Sequence, residues 1–118
     1  MANITKNFTE DELKCTCCGK VAMDSAFMAY LQEIRELCGF GFKVNSGYRC
    51  ESHNAKVSKN SRNDHTRGKA ADIHMTNRYK RSTLLKHLLD SGHFLDIAIA
   101  KTFIHIGRGR SKPGVGIY

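Results

Sequence analysis

The sequence contains no tryptophan, a single proline and no long run of apolar residues. A transmembrane helix needs about 20 consecutive, mostly apolar residues, so we expect no transmembrane segment. The chain also lacks low-complexity tracts, and 41% of its residues are hydrophobic. This composition is typical of a folded globular protein.

The N-terminal stretch MANITKNFTEDELK lacks the apolar core of a signal peptide. We therefore expect synthesis in a cytoplasm without export by the usual secretory route. The 118 residues suffice for one hydrophobic core but leave no room for a second module. Residues 1–118 are accordingly expected to form a single domain.

Acidic residues are fewer than basic ones. The chain has 11 Asp and Glu and 19 Lys and Arg, which gives a net charge of +8. A basic protein favours anionic partners, and both nucleic acid and anionic cell-envelope polymers qualify. A basic surface that is simply solvated is an equally good interpretation. The charge alone does not choose among these three.

The five cysteines are odd in number, which argues against a complete disulfide framework. Three of them, Cys15, Cys17 and Cys18, crowd into the sequence CTCCGK. Taken as C-x-C-C, this run lacks the C-x-x-C spacing of a zinc knuckle, although Cys38 and Cys50 offer further thiolates. A structural zinc site is therefore one interpretation. Small buried side chains with a facultative disulfide are the other, which we favour.

Apolar spacing and capping residues predict the order of the secondary structure. Thr9 and Glu12 predict a capping box that begins a short helical turn. A long apolar stripe predicts a helix that Asp24 or Ser25 caps and that Gly39 ends. The further predicted elements are a strand at 42–45, a helix at 51–57, a strand at 69–75, a second main helix that stops near Gly92, and a hairpin of strands at 95–100 and 102–108.

The same spacing predicts which residues of the two main helices enter the core. They are Phe27, Leu31, Ile34, Leu37, Leu84, Leu85, Leu88 and Leu89. The glycine-rich tail that starts at Gly107 is expected either to be loose or to pair along a sheet edge.

Residues 46–72 contain the densest group of candidate site residues. His65, Gly68, Ala70 and Asp72 form the pattern H-x-x-G-x-A-x-D. Zinc takes nitrogen from His and oxygen from Asp, and a catalytic site uses three protein ligands and leaves a position for water. His65 and Asp72 are two candidate ligands. His105 is the third, since a strand at 102–108 would present it to a sheet face.

The motifs SGYRC, HN, H-x-x-G-x-A-x-D and a late F-I-H occur in this order over residues 46–105. Together they resemble the zinc D-alanyl-D-alanine peptidases, peptidase family M15, which include carboxypeptidases, dipeptidases and the L-alanyl-D-glutamate endopeptidases of bacteriophage lysis enzymes. The N-terminal FTEDELKCTCCG is similar to the start of the small, single-domain members. The resemblance implies a Zn²⁺ cofactor held by His65, Asp72 and His105.

The resemblance also implies a substrate-binding segment. Arg49 matches the arginine that faces the substrate in this family, where its planar fork can bind a carboxylate or the oxyanion formed at the carbonyl. A structural salt bridge is the alternative role. Ser46 and Tyr48 are expected to support Arg49 and to contact the substrate, and His53 and Asn54 to support the site.

Three positions depart from the family pattern. Its members carry an acidic residue three positions before the last ligand or two after it, to take a proton from the metal-bound water, and here these positions are Thr102 and Gly107. Losing a general base costs about a hundred- to ten-thousandfold in rate. We therefore expect slow hydrolysis that Gly107→Asp raises, unless Asp96, the nearest acid in sequence, is the base. Asn63 replaces the usual serine two positions before His65, a milder change.

These observations predict an α+β fold, with a small antiparallel sheet, two main helices on one side and zinc in a groove between the central loops and the last hairpin. The expected function is a zinc-dependent peptidoglycan peptidase of the phage or prophage lysis type, a carboxypeptidase or endopeptidase on stem peptides that acts at the cell wall after release. One alternative is a degenerate member that binds zinc and envelope without hydrolysis. The other is a basic nucleic-acid-binding zinc protein, which the charge supports but no motif does.

Overall fold

The computed structural model describes residues 2–57, 64–94, 96–108 and 114–117. Residues 58–63, which include Asn63, lie outside the described residues, as do Leu95 and Pro113. None of the described helices is long and apolar enough to cross a membrane. In chain order the elements are β1 (Asn3–Thr5), β2 (Phe8–Thr9), α1 (Glu10–Leu13), α2 (Ser25–Cys38), β3 (Lys43–Ser46), α3 (Glu51–Val57), a 3-10 helix (Asp64–Arg67), β4 (Ala70–His74), α4 (Arg78–Ser91), β5 (Asp96–Ile99), β6 (Phe103–Gly107) and β7 (Gly114–Ile117).

The main sheet has the strand order β3-β4-β6-β5-β7. Its first four strands are antiparallel, as predicted, and β7 runs parallel to β5. The α+β fold is therefore confirmed, and residues 114–117 of the tail pair along the sheet edge, one of the two outcomes expected for them. Strands β1 and β2 form a separate small sheet. Periodicity did not predict them because they have only 3 and 2 residues.

The helix ends follow the predicted capping residues. Thr9 and Glu12 form the capping box of α1. The Asp24 carboxylate accepts a hydrogen bond of 2.9 Å from the Phe27 N–H at the start of α2. Gly39 ends that helix with φ +74°, a left-handed conformation that costs glycine little. These local signals are sufficient to set where the helices begin and end.

Both main helices, each of 14 residues, pack on one face of the sheet. Alternate residues of a strand point to opposite faces, so the residues between the core positions of β4 and β6 face away from these helices. This second face carries the candidate site. The core joins Phe27, Leu31 and Ile34 of α2, Leu84 and Leu88 of α4, and Ile73, Ile97, Ile104 and Ile106 of the sheet.

Two leucines that the spacing placed in the core are exposed instead. Leu37 is 55% exposed and Leu89 is 57% exposed, so the prediction was wrong for both. Each lies in the last turn of its helix, about 100° around the axis from a neighbour on the apolar stripe. Apolar spacing finds the stripe, but the width of the contact depends on how the helix is rotated against the sheet. Leu85 is intermediate and packs at the edge of the core.

Candidate metal centre

Strand register brings two of the candidate ligands side by side. Asp72 on β4 is the direct antiparallel partner of His105 on β6, and Ser46 on β3 is the partner of Asp72 on its other side. Directly opposed residues of neighbouring strands project to the same face. Ala98, opposite His105 on β5, has a small side chain that leaves space beside the imidazole.

His65 reaches this row from the 3-10 helix that immediately precedes β4. Its Nδ1 lies 2.7 Å from the carbonyl oxygen of Gly47, so we assign the proton to Nδ1, where it is donated to that oxygen. The Nε2 atom then carries the lone pair and is the nitrogen able to bind a metal. Gly68 turns the chain from the 3-10 helix into β4 with φ +70°. The H-x-x-G-x-A-x-D pattern thus describes a helical turn, a left-handed glycine and a strand.

The ligand nitrogens of the two histidines converge on Asp72 Oδ1, the third candidate ligand atom. His105 Nδ1 lies 2.8 Å from this oxygen and His65 Nε2 lies 3.4 Å from it. All three side chains are buried, and their ligand atoms lie within 4.8 Å of one another. Two imidazole nitrogens and one carboxylate oxygen are a donor set that zinc accepts. The residues present therefore fit a zinc ion.

The Asp72 carboxyl is ionised in this environment. Burial by itself raises its pKa, but hydrogen bonds and electrostatic attraction from His105 and His65 more than offset that effect and hold the pKa well below its usual range. Metal binding requires the deprotonated carboxylate. Asp72 is therefore ready as a ligand at neutral pH without first losing a proton.

Arg49 binds the other oxygen of this carboxylate. Its Nη2 lies 3.3 Å from Asp72 Oδ2, while Nε donates to Ser46 Oγ at 3.1 Å and Nη1 donates to Asn54 Oδ1 at 3.4 Å. The salt bridge considered as an alternative role for Arg49 is thus present. Its three partners lie on β3, α3 and β4, so one side chain holds three elements around the site.

A cleft adjoins this arginine. Ser46, Tyr48, Arg49 and His53 all line it, so the residues expected to contact substrate share one concave surface. The three candidate metal ligands are not among its lining residues. A groove that itself contains the metal therefore stays a prediction.

The second nitrogen of His105 faces another acidic side chain. Its Nε2 lies 3.3 Å from Asp96 Oδ2, and Asp96 is the cross-strand partner of Gly107. Asp64, which precedes His65, also belongs to this group, since ligand atoms of Asp64, Asp96 and His105 lie within 4.8 Å of one another. Sequence reasoning named Asp96 but missed Asp64, whose only signal was its position next to His65.

Gly107 leaves the space that these carboxylates occupy. A Cβ atom at this position would lie 2.7 Å from Asp64 Oδ2 and 3.3 Å from His105 Nε2. A carboxylate introduced at 107 would therefore meet two acidic groups already in place, which favours the expectation that Gly107→Asp adds nothing. Thr102 is exposed between β5 and β6, where its hydroxyl offers no carboxylate to replace the family's acidic residue.

No sequence among the curated proteins matches the chain. The family model described as Peptidase M15 matches residues 6–107, a range that runs from β2 to the end of β6 and includes all three candidate ligands. The resemblance of the four motifs is thereby confirmed over most of the chain. The chain belongs to the peptidase M15 family, whose peptidases are metal-dependent.

Proposed function

We propose that this protein is a zinc-dependent peptidase that cleaves the stem peptides of peptidoglycan, of the type that phage lysis enzymes use at the cell wall. The observation that carries the proposal is the convergence of His65 Nε2 and His105 Nδ1 on Asp72 Oδ1. Membership of a family of metal-dependent peptidases supports the reaction class. The net charge of +8 suits an anionic cell-wall substrate.

His65, Asp72 and His105 would hold the zinc ion through these three atoms. The bound ion supplies a Lewis acid and lowers the pKa of a coordinated water. Within the chain, the Gly47 carbonyl fixes the tautomer of His65, and Arg49 fixes the second oxygen of Asp72. Arg49 also lines the cleft, and in this proposal its exposed part orients a substrate carboxylate or carbonyl.

Asp96 has a positioning role in this proposal. His105 Nε2 lies 3.3 Å from Asp96 Oδ2, so with zinc bound at Nδ1 the proton of the neutral ring would lie on Nε2 and be donated to Asp96. A carboxylate behind a metal-binding imidazole fixes the ring orientation and raises the basicity of the ligand. Asp96 contacts the nitrogen that does not face the metal ligands, a poor place from which to take a proton from metal-bound water.

The proposed function is tested with peptidoglycan and synthetic stem peptides. The zinc-loaded full chain is expected to release fragments with new amino and carboxyl termini, detected by mass spectrometry. Treatment with a chelator should stop the reaction and added zinc should restore it. A chain that binds zinc and peptidoglycan but releases no fragments would instead be the degenerate, non-hydrolytic member of the family.

Asp96→Asn is expected to weaken zinc binding and turnover by about 10- to 100-fold, the usual effect of losing an outer partner of a metal-binding imidazole. The physical reason is that an amide accepts a weaker hydrogen bond from His105 than a carboxylate does. The dissociation constant for zinc, measured by competition with a chelator, checks this. Asp90→Asn, at an exposed acid on α4, serves as the control.

The base role expected for Asp96 leads to a different result. If Asp96 took the proton from the attacking water, Asp96→Asn would leave the zinc dissociation constant unchanged. Turnover would then fall by about a hundred- to ten-thousandfold at saturating zinc. That combination would overturn the positioning role.

Arg49→Lys is expected to lower kcat/KM by about 10- to 100-fold, because lysine keeps the charge but loses the planar guanidinium whose three nitrogens reach Ser46, Asn54 and Asp72. The melting temperature of this variant should fall only slightly, so the loss of activity should be much larger than the loss of stability. Arg78→Lys, at an exposed arginine of α4, is the matched control. Steady-state turnover and thermal melts of both variants are compared, and a large loss of stability with no further loss of activity would make Arg49 structural only.

A further inference from the structure

A second cluster of metal-binding side chains lies outside the candidate metal centre. The sulfur atoms of Cys15, Cys18 and Cys50 lie within 4.8 Å of one another, and Cys15 Sγ lies 3.6 Å from Cys50 Sγ. All three are free thiols. Two come from the loop after α1 and the third comes from the residue before α3, so the fold brings together thiols from two distant segments.

The loop that carries the first two thiols has the turn of a zinc knuckle. The prediction that the C-x-C-C run lacks C-x-x-C spacing was wrong, because Cys15 and Cys18 themselves have that spacing. The Gly19 N–H donates to the Cys15 carbonyl at 2.8 Å, and the Cys15 N–H donates to the Lys20 carbonyl at 2.7 Å. Gly19 has φ +74°, which glycine adopts readily. These hydrogen bonds close the loop, in which the sulfur atoms of Cys15 and Cys18 lie within 4.8 Å of each other.

Backbone amides surround the buried sulfur of Cys15. Burial raises the pKa of this thiol, but backbone N–H groups of Cys50, Cys18 and Cys17 donate to it, and the net effect lowers its pKa to about 6. The Cys50 N–H lies 3.4 Å from Cys15 Sγ, and the His53 N–H donates to Cys50 Sγ at 3.4 Å. The thiolate is the form that binds metal. This effect is specific to Cys15, because the pKa of Cys17 is raised by its contact with Cys50, and that of Cys18, despite a hydrogen bond from the Lys20 backbone, is raised by burial and neighbouring thiols.

Cys17 precedes Cys18 in the chain, but its sulfur is not among the three that lie within 4.8 Å of one another. Its thiol is exposed and hydrogen bonds to the Cys50 thiol, a contact that raises the pKa of Cys17. The remaining cysteine, Cys38, is half-buried on α2, where burial raises its pKa to about 11. Three sulfurs lie together, and Cys17 is the adjacent thiol that would complete the four cysteine ligands of a structural zinc site.

We propose that Cys15, Cys17, Cys18 and Cys50 bind a structural zinc ion, separate from the ion held by His65, Asp72 and His105. Four thiolates leave no open position, so this ion would cross-link the chain and take no part in hydrolysis.

The cross-link would act on the segment that presents Arg49. Cys50 follows Arg49 directly, and the Tyr48 N–H donates to the Leu13 carbonyl at 2.9 Å. The loop after α1 and the segment after β3 are therefore already joined by hydrogen bonds. Zinc at the four thiols would join these two segments at a second point and keep the Arg49 side chain within hydrogen-bonding distance of Asp72.

The test uses the full chain, purified under reducing conditions and loaded with Co²⁺ in place of zinc. We expect two cobalt ions per chain and an intense thiolate-to-cobalt charge-transfer band. Cys18→Ser should lose one ion and most of this band, whereas His65→Ala should lose the other ion and keep the band. Cys17→Ser, at an exposed residue that does not support the core, should retain the fold while the band weakens.

Cys38→Ser is the matched control and should keep both ions and the full band. The wild-type spectrum needs no substitution, so the result does not depend on whether the variants at buried cysteines fold. Wild-type protein that binds a single cobalt ion without the charge-transfer band would overturn the proposal. So would a Cys15–Cys50 disulfide, seen as a mass lower by two hydrogens, if reduction did not restore binding of the second ion.

Discussion

Asp72→Asn is expected to remove zinc from the candidate metal centre and to abolish stem-peptide hydrolysis. Asp72 Oδ1 lies within 3.4 Å of a nitrogen of each candidate histidine ligand, and Oδ2 accepts from Arg49. Asparagine has nearly the same shape, but its neutral amide is a poor zinc ligand. Its amide nitrogen must also face either the imidazoles, where it would replace the ligand oxygen, or the guanidinium, which is itself a donor.

Asp72→Asn is expected to lower the zinc affinity of this centre by more than Asp96→Asn does. Loss of an outer partner such as Asp96 costs roughly 10- to 100-fold, whereas Asp72 is itself a ligand. Elemental analysis and peptide cleavage are measured on the same preparation, with circular dichroism to establish that the variant is folded. Asp90→Asn should retain both properties. A folded Asp72→Asn protein that kept its full zinc content would refute the assignment of this ligand set.

Gly68→Ala is expected to cause the largest loss of stability of any single methyl addition proposed for this fold. The residue has φ +70°, and a Cβ atom would lie 2.0 Å from the Ala22 carbonyl oxygen and 2.8 Å from the Met23 Cα. These are backbone atoms that cannot move aside cheaply. We expect the free energy of unfolding to fall by roughly 2 to 5 kcal/mol, from left-handed strain and overpacking together.

Gly39→Ala separates these two causes. Gly39 has φ +74°, but a Cβ atom there would have nothing within 4 Å. Its substitution should cost only the conformational part, about 1 to 2 kcal/mol. Urea unfolding of both variants provides the comparison, and equal losses would mean that the close approach of Gly68 to Ala22 contributes nothing.

The helix ends and the candidate ligands could be predicted because their signals are local. A capping side chain acts within one turn of its helix, so Thr9 and Asp24 identify helix starts without knowledge of the rest of the fold. The motif containing His65 and Asp72 is likewise compact. His105 was found from a second motif, and its proximity to Asp72 follows from a strand pair whose register the sequence does not state.

The contacts that were missed depend on how separate elements pack. Asp96 was a candidate, but its contact with His105 follows from the β5–β6 register, which places it opposite Gly107, and Asp64 approaches the same point from another segment. The exposure of Leu89 depends on the rotation of α4 against the sheet. The thiol of Cys50 meets Cys15 across 35 residues of sequence. Local sequence patterns carry no information about contacts between separate elements.

The position of Asp72 and His105 on β4 and β6 has a consequence for how long a metal ion would stay bound. Both strands are flanked by neighbours on each side, and backbone amides in the centre of a sheet exchange their hydrogens mainly when the whole fold opens. His65 lies instead on a 3-10 helix of 4 residues, an element that opens by local fluctuation. A bound ion would therefore leave by first losing His65, and its residence time would follow the opening rate of one short turn. Faster amide exchange at His65 than at Asp72 would reveal this difference.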